Sequence, residues 1–125
     1  MRLAFTAVAG GFDDDECFLV CGVTGPDGDG ISQYLSLERD AEKNLEDWGV
    51  HIEFNDQGTG GYDCVARCTL TRQMLSIDLK RPLGQLAGVD GFDVTLGIDL
   101  DSINRIRDGL LRVFRGMPNI LTVEL

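Results

Sequence analysis

A change of hydrophobic period is the strongest constraint on what this chain can fold into. Along most of its length apolar residues fall on every second position: Val50, Ile52 and Phe54 alternate with His51 and Glu53, and Leu75, Ile77 and Leu79 alternate with Met74, Ser76 and Asp78. That period puts one set of side chains on one face of a β-sheet. Near the C-terminus the spacing lengthens, and Ile103, Ile106, Leu110, Val113 and Phe114 form a helical stripe. Asp101 or Ser102 is positioned to cap it, Gly116 lies just past its end and Pro118 beyond that. Gly109, inside the stripe, costs about 1 kcal/mol relative to Ala, so this helix is expected to rely on packing, with its backbone close to a strand.

Seven strands are expected, over 3–8, 17–23, 31–38, 50–55, 62–70, 74–80 and 92–98, broken where Gly, Pro and Asp cluster at 10–13, 25–30 and 56–61. Short strands at short intervals predict an α+β fold, an antiparallel sheet of hairpins and meander with one C-terminal helix on one face. Short helices are expected at 40–48 and 82–87. Parity sends Leu35, Leu37, Val50, Ile52, Phe54, Leu75, Ile77, Phe92, Val94, Leu96 and Ile98 one way. Tyr34, Ser36, Glu38, His51, Glu53, Arg67, Thr69, Ser76, Asp78 and Thr95 go the other. Strand 17–23 is apolar on both sides and is expected to be covered on both. With no repeat and no linker, residues 1–125 read as one domain, and 125 residues suffice for a core without staples.

Acidic residues outnumber basic ones 21 to 11, for a formal net charge of −10. Nucleic acid is therefore excluded as a ligand, because binding it requires a basic patch to neutralise phosphates. A basic protein partner fits the charge, and so does the simpler role of keeping a small protein soluble. The short apolar run at 3–9 leads into glycines and the acids at 13–16, which reads as a first strand and not as a secretory leader. No apolar stretch approaches the roughly 20 residues of a membrane span, and a cytoplasmic protein is expected. The cysteines sit as Cys17-x3-Cys21 and Cys64-x3-Cys68. In strands that spacing separates the sulfurs by about 13 Å, too far to share a zinc ion, so buried reduced thiols are expected.

Residues that would carry catalysis are sparse. His51 is the only histidine, which excludes multi-histidine metal sites and leaves one imidazole, with Glu53 and Glu38 as its neighbours on the polar face. Asp27-Gly28-Asp29-Gly30 lacks the third ligand and distal glutamate of a calcium loop, and the glycines at 58, 60 and 61 lack the lysine and helix of a phosphate loop. No cofactor, metal or catalytic group is expected. Trp48 and Tyr62 flank strand 50–55 among Glu46, Asp47, Asp56 and Asp63, the residue mix of a binding hot spot with aromatic anchors and a charged rim. Trp48 can equally close an edge of the core. The candidate partner-binding set is Trp48, Asp47, Glu53, Asp56, Tyr62 and Asp63.

Four stretches together carry a family likeness: 34–39 (Tyr-Leu-Ser-Leu-Glu-Arg), 48–57 (Trp-Gly-Val-His-Ile-Glu-Phe-Asn-Asp-Gln), 60–62 (Gly-Gly-Tyr) and 70–79 (Leu-Thr-Arg-Gln-Met-Leu-Ser-Ile-Asp-Leu). They resemble immunity protein family ten of bacterial polymorphic toxin systems, and the similarity continues through 92–96 and the C-terminal helix. The resemblance implies a cytoplasmic, non-catalytic protein that binds and neutralises a cognate toxin domain. A positively charged toxin domain fits the acidic surface. The alternatives are a non-catalytic adaptor or assembly protein acting through the polar sheet face, and a small enzyme using His51 with Glu53.

Overall fold

The computed structural model describes residues 1–15, 17–26, 33–40 and 48–125. Ten strands, β1 (Arg2–Ala7), β2 (Ala9–Asp14), β3 (Phe18–Thr24), β4 (Tyr34–Asp40), β5 (His51–Phe54), β6 (Asp56–Tyr62), β7 (Val65–Thr71), β8 (Met74–Leu79), β9 (Gly91–Leu96) and β10 (Leu121–Glu124), and one helix, α1 (Leu100–Val113), make an α+β fold. Two sheets of five strands divide the chain. The first has the order β1-β9-β8-β7-β10, the second β2-β3-β4-β5-β6. All pairings in the second sheet are antiparallel, whereas β1 lies parallel to β9 and β10 parallel to β7 at the two edges of the first.

The alternation read from sequence decides what is buried. Phe5, Leu70, Ile77, Phe92 and Val94 of the first sheet and Leu19, Leu35, Leu37, Ile52 and Phe54 of the second belong to one buried cluster. The two inner faces meet through aromatic rings, Phe54 lying 5.0 Å from Phe92 and 6.1 Å from Phe5. Helix α1 covers the rest of the second sheet's inner face, over β2 and β3. Ile103, Ile106, Gly109, Leu110 and Val113 are its buried stripe, and burying Ile106 and Leu110 contributes about 1.5–3 kcal/mol each. Gly109 is the point of closest approach. A Cβ there would lie 2.6 Å from Cδ1 of Phe12, so the helix has glycine where β2 touches its backbone, as the sequence suggested.

Both helix ends are satisfied. Asp99 is the N-cap, its carboxylate accepting from the Ser102 N–H at 2.8 Å, with Asp101 in the first turn. The cap is thus Asp99, ahead of the Asp101 or Ser102 read from sequence. At the other end Arg39 Nη1 donates to the carbonyls of Val113 at 2.9 Å and Arg115 at 2.5 Å, and Gly116 takes φ 77° to end the helix.

Several expectations need correction. The single sheet becomes two, because periodicity records which side of a strand is buried but not which partner buries it. Residues 10–13 and 56–61 are not turns but lie in β2 and β6, edge strands that tolerate glycine because one side needs no neighbour. Strand β10 was not anticipated. Residues 82–87 are not helical: the Leu86 N–H reaches the Leu83 carbonyl at 2.8 Å around Gly84 at φ 48°, a tight turn. Strand β3 is covered on one side only, with Leu19, Cys21 and Val23 buried but Phe18 45% exposed. Cys17 and Cys64 precede β3 and β7, and Cys17 is exposed while Cys21, Cys64 and Cys68 are buried free thiols. Of the helix expected at 40–48, residues 41–47 lie outside the described residues; Asp40 ends β4 and Trp48 is not helical.

Candidate partner-binding face

Strand register turns the outer face of the second sheet into rows of side chains. One row crosses all five strands as Gly11, Gly22, Ser36, Glu53 and Gly60. Beside it, two residues along each strand, runs Asp13, Val20, Glu38, His51 and Tyr62. On its other side lie Ala9, Thr24 and Tyr34. The middle row carries almost no side-chain bulk and its flanks stand about 7 Å away on either side, so the face has a low floor with Glu53 as the one long side chain rising from it. Phe18 and Asp40 pair beyond the second row.

Tyr34 fixes that carboxylate. Its hydroxyl donates to Glu53 Oε2 at 2.5 Å, and this hydrogen bond, with burial adding to it, pushes the phenol up to about 12. His51 stacks on Tyr62, ring centroids 4.8 Å apart at 60°. A Cβ on Gly60 would lie 3.0 Å from the His51 ring, so the imidazole leans over the floor where only glycine admits it. His51 Nδ1 is buried and without a hydrogen-bond partner among the described residues. General-base catalysis by a histidine relies on a carboxylate orienting the ring through its second nitrogen. Glu53, the acid nearest in sequence, is engaged by Tyr34 instead.

The candidate residues read from sequence separate into three places. Trp48, 68% exposed, stands ahead of β5, where Gly49 at φ 85° turns the chain so that Val50 enters the core. Exposure on this scale removes the reading in which Trp48 closes the core edge. Tyr62, 48% exposed, lies at the same end of the sheet through its pairing with His51. Glu53 lies in the floor. Asp56 sits at the opposite end of β5, where its Oδ1 accepts from the Gly58 N–H at 2.7 Å and shapes the turn into β6. Asp63 is at the Trp48 end but turned to the first sheet: Lys80 Nζ lies 2.7 Å and Arg81 3.5 Å from its carboxylate, and the Lys80 hydrogen bond holds that carboxyl below its ordinary value. Asp47 lies outside the described residues. Phe18, Tyr34, Glu38, Asp13 and Asp40 were outside the candidate set, although alternation within β4 had already placed Tyr34 and Glu38 on the polar face and Glu38 beside His51.

The two outer faces differ in their electrostatics. On the first sheet Arg2 pairs with Asp78 at 2.6 Å and Asp93 at 2.8 Å, and the Arg2 hydrogen bond lowers the Asp93 carboxyl. On the second, Asp13, Glu38, Asp40 and Glu53 have no ion-pair partner among the described residues. Strands β2–β6 contain one cationic side chain, Arg39, and it is turned to the helix end. Glu53 and Arg67, which parity alone put on one polar face, occupy different sheets. Among the described residues no group of three His, Cys, Asp or Glu is disposed to hold a metal, and no helix is long and apolar enough to cross a membrane.

The family model of immunity protein 10 matches residues 5–104. The chain belongs to the immunity protein 10 family. Curated proteins give no match to it. The immunity protein 10 match contains all five strands of the second sheet and every residue named on its outer face, and it ends within α1. The expectation drawn from the four stretches of likeness is met at the level of the family.

Proposed function

We propose that this chain is a cytoplasmic immunity protein that binds the toxin domain of a bacterial polymorphic toxin and blocks it without catalysis. Membership of the immunity protein 10 family carries the reading. Such an inhibitor needs a rigid scaffold, exposed anchors and a complementary field and no reactive group; the exposed Trp48 and Tyr62, with the acids of the second sheet that have no ion-pair partner among the described residues, support that reading. We assign Trp48, Tyr62 and Glu53 to the contact, with Asp47, Asp56 and Asp63 at its rim.

The test starts from the gene immediately upstream, which is expected to encode a large secreted protein with a variable C-terminal domain; that domain is then co-expressed with this chain. The wild-type chain should rescue growth and copurify with that domain. Trp48→Ala should keep the wild-type melting temperature and raise the dissociation rate by about 30-fold, the effect of a hot-spot anchor. Charge reversal at Asp47 or Asp56 mainly slows association. Failure of the wild-type chain to bind or protect would replace this reading with the adaptor.

A further inference from the structure

Resting on that function, we propose that the outer face of the second sheet is the docking surface for an arginine-bearing face of the toxin domain. In this arrangement guanidinium groups lie on the floor of Gly11, Gly22, Ser36 and Gly60 against Glu53 and Glu38. Charge selects the occupant. Several carboxylates elsewhere have internal cations: Asp14 has Arg112 at 2.5 Å, Asp63 has Lys80, and Asp78 and Asp93 share Arg2. The four acids of this face have none among the described residues, and a cationic partner would complement them.

The composition of the face favours arginine over lysine. Phe18, Tyr62 and Trp48 are all exposed at one end of the sheet, close to Glu38 and Asp40 in register. A planar guanidinium stacks on such rings while its fork engages a carboxylate, two contacts that an ammonium cannot make together. Val20 adds an apolar side chain at the centre of the same face, and the low floor lets a flat group approach the backbone. Apolar residues on both sides of β3 therefore reflect one side turned to the core and one turned to a partner.

Two arms test the proposal. In the first, hexa-arginine and hexa-lysine peptides are titrated into the labelled protein and amide shifts are followed by NMR. Hexa-arginine should move the amides of Gly22, Ser36, Glu53 and Gly60 and bind several-fold more tightly than hexa-lysine. Glu38→Gln with Glu53→Gln should weaken it about tenfold or more, and the exposed control Glu124→Gln should not. Gly11→Thr and Gly22→Ala raise the floor without crowding, since a Cβ at Gly11 meets nothing within 4 Å and one at Gly22 meets its nearest atom at 3.5 Å; both should fold normally and bind less. Shifts centred on the Asp78 and Asp93 face, or equal binding of the two peptides, would overturn the assignment. In the second arm the same variants are measured against the upstream-encoded toxin domain. A domain that binds wild type and the face variants equally leaves the function standing and removes this face, whereas a domain that fails to bind wild type removes the function and leaves the face to be decided by the peptides.

Discussion

Gly109→Ala separates two opposing effects whose sign the structure decides. Helix propensity alone predicts a gain of about 1 kcal/mol. The new methyl, however, would sit 2.6, 2.8 and 2.9 Å from Cδ1, Cγ and Cβ of Phe12, where carbon atoms prefer about 3.5–4.0 Å. The ring has little room to retreat, because the Arg112 guanidinium lies 5.4 Å over its face and is itself tied to Asp14. Overpacking of this kind costs about 1–3 kcal/mol, and contact on three atoms of a ring packed against Arg112 places it at the upper end. A net loss of about 2 kcal/mol is expected in urea unfolding followed by far-ultraviolet circular dichroism, with an unchanged m-value. The decisive comparison is the same substitution in Phe12→Ala. With the ring gone only propensity remains, so Gly109→Ala should stabilise that background by about 1 kcal/mol, giving a coupling of about 3 kcal/mol across the cycle. A gain in the wild-type background, or the same sign in both, would refute the account of helix packing.

Two further outcomes follow from the acid–base state of buried and paired groups. Tyr34, a neutral acid whose folded value of about 12 exceeds the ordinary tyrosine value of about 10, contributes stability that is present below about pH 10 and lost as the pH rises through about 12. The difference in tyrosinate absorbance between wild type and Tyr34→Phe should report a late titration, and Glu53→Gln should move it down. Burial raises the Cys21 thiol to about 12 and raises Cys68 and Cys64 as well, so in the native protein a thiol reagent should modify exposed Cys17 alone in its fast phase. Cys17→Ser should abolish that phase; a second fast thiol or stoichiometric zinc in the native protein would contradict the packing described.

Legibility in the sequence followed the range of the forces involved. Alternation in β4, β5, β8 and β9 and the helical stripe of α1 are local consequences of burial, and they were readable. The cost of Gly109 inside that stripe even announced a close strand, which is Phe12 of β2. What stayed hidden depends on partners remote in sequence. Nothing in Arg2–Ala7 says that it pairs in parallel with Gly91–Leu96, and nothing in 56–61 distinguishes a glycine-rich edge strand from a turn, because the distinction is made by His51 and Glu53 across the ladder. The site shows the same division. Trp48 and Tyr62 were visible as aromatics among acids, but whether an acid is available depended on distant cations: Asp63 is engaged by Lys80 and Arg81, and Glu38 has no such partner among the described residues.

The glycines of the second sheet connect this architecture to its use. A glycine in a strand interior weakens it by about 0.5–1 kcal/mol relative to Ala; at Gly60, as at Gly109 in the helix, there is a steric reason to accept the loss, since His51 and Phe12 occupy the space. Gly11 and Gly22 have no such reason, because a Cβ at either position meets nothing closer than 3.5 Å. Both lie in the one row of the outer face that is otherwise Ser36, Glu53 and Gly60, and both have ordinary backbone φ. Neither backbone conformation nor internal packing explains them. On the proposed docking face, a residue without a side chain would let a partner approach the backbone. Stability is correspondingly concentrated away from this row, in the inner faces and the helix, so the outer face can keep residues chosen for contact without endangering the fold.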